Sequence, residues 1–371
     1  MATSTVGLDI GSSAVRGVEL GAVKKSKPNL LRFHEVALPS GAVTRGEIID
    51  VDVVSSALKQ LWVEGNFKTK DVVLGTGNQH VLVRDLTVPK ASLKEIRDSL
   101  PFHVQNLLKM TLEESILDFY PVSEGIGDHG PTINGMLIAA ERDEILDTIR
   151  VVERAGLTPV EVDLVPFALN RLLMSRSNFD GTVAIIDVGG STTSMIVARD
   201  GVPQFVRIIP AGGDDLTQAL KSALEINIHS TEELKRTLRI GADIAQGDEF
   251  GAITSPCSCP KCLADVATAD DPRVTEILLR VTSELLSGLR NTVNYFNNIH
   301  PENLVSQILL TGGGARLSGF SVALQAMTRI PVTAFNPISM VTLSRKSEEK
   351  NQMENVDSLS VAIGLAMRNL P

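Results

Sequence analysis

The sequence predicts an α/β protein whose two halves flank one ligand cleft, and three glycine-bearing turns carry that prediction. They are Asp9-Ile10-Gly11-Ser12-Ser13, Asp187-Val188-Gly189-Gly190-Ser191-Thr192-Thr193 and Thr311-Gly312-Gly313-Gly314-Ala315-Arg316. Each follows an apolar run of strand length: Val6 to Leu8, Val183 to Ile186 and Ile308 to Leu310. The first two share a pattern of a strand ending in Asp, a Gly/Ser/Thr turn and a second strand-like run, Val15 to Leu20 and Ser194 to Ala198. Such a hairpin aims backbone N–H groups and hydroxyls into one concavity, which suits phosphate oxygens. Glycine lets the backbone approach a ligand, and the terminal Asp supplies a hard oxygen for Mg²⁺, directly or through water. One such hairpin alone is more often a plain turn. Two copies in matching context, with a third turn behind its own strand, make nucleotide binding the leading reading.

Composition sets the frame. A chain of 371 residues exceeds one typical core, so two or more domains are expected. Hydrophobic residues at 43% and charged residues at 21% describe an ordinary globular protein. The net charge of −9 leaves no basic surplus for a nucleic-acid backbone. No basic segment followed by an apolar core opens the chain, and no apolar run approaches the roughly 20 residues a bilayer requires. A cytoplasmic location follows as the expectation. The three cysteines, Cys257, Cys259 and Cys262, crowd together and make no disulfide framework.

Taken in order, Leu30 to Leu38 reads as a strand, and Val53, Val54, Ala57, Leu58 and Leu61 follow a helical period with Asp50 or Asp52 as its cap. Val72 to Leu74 reads as a buried strand, and Gly75-Thr76-Gly77 as its plain terminus, with another phosphate-side loop as the alternative. From Val81 the pattern changes to strand (Val81 to Pro89), helix, strand (Ile116 to Val122), strand (Asn134 to Ala140) and helix (Arg142 to Ala155). Ser92 and Glu95 have capping-box spacing at the first of these helices. Leu164 to Leu173 is a further helix with Pro166 at its start, preceded by Asp163. Gly212 and Gly213 open a helix whose N-terminus can hold an anion; capping is the simpler role for the acids beside them, Asp214 and Asp215. Ser230 and Glu233 predict a second capping box. Glu232 and Lys235, three residues apart, share a helix face. Val274 to Phe296 carries an apolar stripe of core type, and a polar segment follows from Ser344 to Gln352. Ser360 to Met367 reads as a small-residue helix suited to close packing. Cys-x-Cys-x-x-Cys can hold structural Zn²⁺ on three thiolates, but a fourth ligand cannot be placed, and free thiols or a redox pair at Cys259 and Cys262 fit as well.

The three turns resemble the phosphate-1, phosphate-2 and adenosine motifs of the actin/Hsp70/sugar-kinase superfamily. The unit from residue 81 to 156 narrows this further. Val83-Arg84-Asp85-Leu86-Thr87-Val88-Pro89, Leu93 to Leu100, Ile116 to Val122, the opening Gly7 to Ser13, and Gly156 through Leu169 resemble the type IV pilus assembly PilM family, relatives of the cell-division protein FtsA. The segment Asn106-Leu107-Leu108-Lys109-Met110 departs from an Ile-Pro-Phe-Pro stretch frequent there. The likeness covers nearly the whole chain.

This resemblance implies two actin-like, ribonuclease H-like domains around a nucleotide cleft, with a small subdomain inserted in the first. It divides the chain into domain 1A (1–80 and 157–178, with the C-terminal helix 357–371), subdomain 1C (81–156), domain 2A (179–212 and 304–356) and subdomain 2B (213–303, with the cysteine-bearing loop 243–271). ATP or ADP with Mg²⁺ is expected on Asp9, Gly11, Ser12, Ser13, Asp187, Gly189, Gly190, Ser191, Thr192, Gly212 and Gly213, with Asp9 and Asp187 nearest the metal. Gly312, Gly313 and Gly314 would carry adenine with Arg316 stacked on it, unless that turn is a plain strand-to-helix crossover. Arg16 stands where the superfamily often has a lysine, as a phosphate ligand or an outer-strand residue. Glu232 and Lys235 would reach the ribose and base, or form a solvated ion pair. Asp163, with Asp187, would act near an attacking water, or cap its helix.

The implied function is a cytoplasmic ATP-binding scaffold at the inner face of the cytoplasmic membrane. It would dock the N-terminal peptide of a PilN-like inner-membrane protein, with other pilus platform proteins and self-association as further partners. Membrane contact would come only through partners. ATP hydrolysis would be slow or absent, since no clear general base is visible. Alternatives are an FtsA-like or other filament-forming ATPase, a sugar-kinase-like phosphotransferase, and an interaction protein with a degenerate cleft. FtsA-like chains carry a basic amphipathic terminal helix that is not expected here.

Overall fold

The computed structural model describes residues 5–21, 27–104, 107, 110–128, 130–174, 181–240, 271–343 and 356–368. The cysteines Cys257, Cys259 and Cys262 and the polar segment from Ser344 lie outside them. Strands β1 (Val6–Ile10), β2 (Ala14–Gly21) and β3 (Asn29–Ala37) form an antiparallel meander with Asp9 opposite Arg16. A short hairpin, β4 (Val43–Thr44) and β5 (Glu47–Ile48), leads to α1 (Val51–Gly65). Of the two expected acids it is Asp50 that caps α1, accepting from the Val53 N–H at 3.0 Å. Strand β6 (Asp71–Thr76) then lies parallel to β1.

Here the chain leaves the sheet. Strands β7 (Leu82–Pro89), β8 (Ser115–Gly127) and β9 (Gly130–Glu141), with α2 (Leu93–Val104), make a separate antiparallel sheet of order β7-β9-β8. Ser92 and Glu95 close the predicted capping box: each backbone N–H donates to the other's side chain. β8 runs five residues past the predicted Val122, because Ser123 to Gly127 pair with β9 without any apolar alternation to announce them. Val88, Ile96, Leu100, Val104, Phe119 and Leu137 form a small core of their own. Helix α3 (Arg142–Arg154) belongs elsewhere: Val151 and Val152 pack with α1 residues under the first sheet. The insertion's own core is therefore β7-α2-β8-β9. The chain then re-enters as β10 (Thr158–Leu164), parallel to β6, and continues into α4 (Val165–Met174).

The second half repeats the plan. β11 (Thr182–Val188), β12 (Thr193–Arg199) and β13 (Val202–Ile209) are again an antiparallel meander. After α5 (Gly213–Leu224), α6 (Ile228–Thr237) and α7 (Pro272–Ile299), strand β14 (Gln307–Thr311) lies parallel to β11. Helix α8 (Phe320–Thr328) and β15 (Val332–Ala334) complete it. The sheet orders β10-β6-β1-β2-β3 and β15-β14-β11-β12-β13 correspond strand for strand, and β16 (Thr342–Leu343) crosses from the second half to extend the first sheet beside β3. One expectation fails in α6. The helix starts at Ile228, capped by Asn227, so Ser230 is already inside it and donates its N–H to the Asn227 side chain at 2.9 Å. Asparagine competes well as an N-cap, and Glu233 pairs with His229 instead.

Between the two sheets lie α4 and α9 (Ser360–Ala366), in a shared core running from Val18, Val73 and Leu164 through Ala168 and Ile363 to Ile185 and Ile196. α9 packs close enough that a Cβ on Gly7 would stand 2.0 Å from the Ala362 carbonyl oxygen, and one on Gly364 2.2 Å from that of Ala168. The small residues of α9 thus seat it against β1 and α4. The outer faces are covered by α1 and α3 on one side and by α5, α7 and α8 on the other. Gly364→Ala is expected to cost about 3 kcal/mol in chemical denaturation, because backbone cannot yield to the added methyl. Gly288→Ala, inside α7 with nothing within 4 Å of the added carbon, should instead stabilise by about 0.5–1 kcal/mol.

Candidate nucleotide cleft

Asp9 and Asp187 occupy equivalent places, each near the end of the central strand of its half, on the wall of one cleft. The cleft is lined by Gly11, Ser12, Ser13 and Arg16 from the first half and by Gly189, Gly190, Ser191, Thr192, Gly312 and Gly313 from the second. Three turns, each more than a hundred residues from the next, thus converge. Gly312 adopts φ +93°, and a side chain there would stand 2.6 Å from Asp187 Oδ1.

Burial raises the Asp9 carboxyl above the ordinary range, opposed by Arg16, whose Nη1 lies 3.5 Å from Asp9 Oδ2. Asp187 is raised to about 7, first by burial and then by the charge of Asp9, again opposed by Arg16. Arg16 is inward-facing, held by Glu35 at 2.5 Å, and lines the cleft.

Other expected residues fall outside the lining. Gly212 and Gly213 lie directly behind it, where the Gly213 N–H donates to the Gly189 carbonyl at 3.0 Å. Asp215 accepts from the Gly212 N–H at 2.8 Å, the expected capping role; Asp214 does something else, hydrogen-bonding Ser12. Lys235 Nζ reaches the Gly213 carbonyl at 2.9 Å, Thr217 Oγ1 at 2.8 Å and Glu232 Oε1 at 3.1 Å. Gly213 in turn abuts Gly314, so the ion pair borders the adenosine-type turn. Arg316 donates to Asp357 at 3.1 Å and ties that turn to the C-terminal segment. Asp163 is buried and is not part of the cleft lining, although its strand partner Gly75 is. Its Oδ2 accepts from Arg171 at 2.6 Å and its Oδ1 from the Leu164 N–H, while Arg171 also bonds the Gly364 carbonyl, so Asp163 anchors α4 to α9.

Gly75 and Gly77, read as a strand terminus or another phosphate-side loop, line the cleft beside Val165. Sequence reasoning missed Gly46, Ser194 and Ser358, which join them. The Arg45 N–H donates to Ser191 Oγ at 3.0 Å across the cleft. The positive φ of Arg45 and Gly46 aims this loop inward, a signal that only the backbone conformation supplies.

A profile of the family described as type IV pilus assembly protein PilM matches residues 7–247 and 271–370. The chain belongs to this family. Among solved structures, a PilM–PilN type IV pilus biogenesis complex superimposes with a TM-score of 0.81 at 24% identity, covering 100% of both chains. MreB 5 of Spiroplasma citri bound to AMPPNP gives 0.51 at 12% identity, over 98% of this chain and 95% of that one. The cell-division protein FtsA of Bacillus subtilis is 24% identical over 359 residues, 90% of this chain and 78% of the relative. The fold is accordingly the actin-like two-domain fold expected. Among the described residues no helix is long and apolar enough to cross a membrane.

The raised carboxyl of Asp187 carries a pH signature. Between about pH 4 and 7 the folded protein holds a proton that the unfolded chain has released, so this group makes stability fall as pH rises through that window. Asp187→Asn is expected to gain on the order of 1–2 kcal/mol over wild type at pH 8, allowing for solvent at the cleft mouth, and nothing at pH 4.5. Melting curves of both proteins across that range decide it; a difference that does not vary with pH would remove the assignment.

Proposed function

We propose that the protein is an actin-like, nucleotide-binding scaffold of type IV pilus assembly that docks the N-terminal peptide of a PilN-like inner-membrane protein. The observation that carries the nucleotide part is the convergence of two phosphate-type turns and an adenosine-type turn on a carboxylate pair held together at a cost. That pair fits a divalent cation, which would offset both the burial and the mutual repulsion of Asp9 and Asp187. Bound Mg²⁺ would neutralise phosphate charge. Ser12, Ser13, Ser191 and Thr192 would donate hydroxyls to phosphate oxygens, Arg16 would add its positive charge, and the Gly313–Gly314 backbone, beside Glu232 and Lys235, would receive the base and sugar. The site's contribution is binding and orientation.

The peptide reading rests on family membership and on a groove of about 710 Å³. One wall is β7 of the inserted sheet (Leu82 to Asp85); the other is β13 and α7, including Phe205, Arg207 and Tyr295. β7 and β13 each end their sheets, so an extended peptide can pair along an open strand edge while its side chains settle on apolar residues. Because one wall belongs to each half, any change in cleft closure changes the groove, which supplies a route from nucleotide state to docking. Such docking would place the protein at the inner face of the cytoplasmic membrane through its partner.

Calorimetric titration with ATP and Mg²⁺, with and without a PilN-type N-terminal peptide, tests both parts. Asp187→Ala should weaken Mg-nucleotide binding at least 100-fold with the fold retained; an unchanged affinity would sink the site assignment. Tyr295→Ala, an exposed residue of the groove, should weaken peptide binding about tenfold, as aromatic anchors do, and leave nucleotide binding alone. Peptide affinity untouched by that change would place docking elsewhere.

A further inference from the structure

Ser12 and Asp214 meet across the cleft. Ser12 Oγ, in the first phosphate-type turn, donates to Asp214 Oδ2 at 2.6 Å. Both atoms sit over the backbone of Gly190, where an added Cβ would lie 2.2 Å from the hydroxyl and 2.7 Å from the carboxylate. The α5 N-terminus, the natural place for an anion, is engaged by the same hairpin: the Asp214 N–H donates to the Gly190 carbonyl at 2.7 Å and the Gly213 N–H to that of Gly189 at 3.0 Å. A second bond, Arg45 N–H to Ser191 Oγ, closes the other side. The enclosed space is about 130 Å³, well under the roughly 300–1,000 Å³ of ordinary ligand pockets.

We propose that Asp214 is a built-in stand-in for phosphate: its carboxylate takes the Ser12 hydroxyl and latches the two halves, so that nucleotide must displace it to enter. This rests on the nucleotide reading of the cleft and adds its regulation. A carboxylate and a phosphate oxygen are both anionic acceptors, so they cannot share one hydroxyl, and repulsion drives Asp214 out as the phosphate arrives. Asp215, one residue on, caps α5 instead and faces no such competitor. The latch makes the unliganded protein closed and lowers apparent affinity by the fraction of time it is shut.

Titration of the protein with ADP and with ATP, each with Mg²⁺, tests this, comparing wild type with Asp214→Ala and Asp215→Ala. Removing a charge-assisted hydrogen bond that opposes entry should tighten binding about tenfold in Asp214→Ala and not in Asp215→Ala. Equal or weaker binding in Asp214→Ala overturns the latch. Amide hydrogen exchange without nucleotide is the second readout: peptides covering 9–13 and 187–193 should exchange faster in Asp214→Ala than in wild type, and unchanged rates also overturn it. Should no variant bind nucleotide at all, the nucleotide reading falls and the stand-in role with it; binding that occurs but is not tightened in Asp214→Ala overturns the latch alone.

Discussion

Two buried carboxylates on the wall of one cleft are the constraint around which this molecule is arranged. Asp9 and Asp187 end equivalent strands of two sheets with the same order, and the fold turns those strand ends toward one space. Burial and mutual charge push Asp187 up to about 7, with Arg16 as the nearby opposing cation. A protein optimised only for stability would replace one acid by an amide. Keeping both fits the proposed function, in which an arriving cation would relieve the strain of the pair.

Around that pair the architecture is a sandwich whose filling is helical. α4 and α9 lie between the sheets, and α9 reaches its place only because Gly7 and Gly364 let backbone touch backbone. The C-terminal segment therefore belongs to the core of the first half, and Thr311 hydroxyl-bonded to Ser360 fastens it beside the third glycine turn. Arg171, bridging Asp163 and the Gly364 carbonyl, fastens the other helix. Asp163 thus takes part, through Arg171, in holding two helices together.

The inserted sheet adds a second feature to the same frame. It leaves between β6 and β10, which are adjacent in the first sheet, so it can be present without breaking a strand pair. Its free edge at β7 faces the free edge of the second sheet at β13, and the groove between them spans both halves. Cleft and groove thus each draw their walls from both halves.

Much was readable from the residues in order. Asp-Gly-Ser hairpins, the Ser92–Glu95 box and the long stripe of α7 are local patterns with local physics, and each stands where its pattern placed it. The small residues of α9 announced close packing for the same reason. What only the tertiary structure decided are contacts between distant segments. Asp214 pairs with Ser12, Asp163 with Arg171 and Arg316 with Asp357, while Gly75 and Gly77 turn out to face the cleft. Asn227 displaces Ser230 as a cap because two good capping residues stood three apart and the chain used the earlier. A side chain's type sets which bonds it can make; which partner it meets depends on strand register and helix placement, and those are settled by the whole core at once.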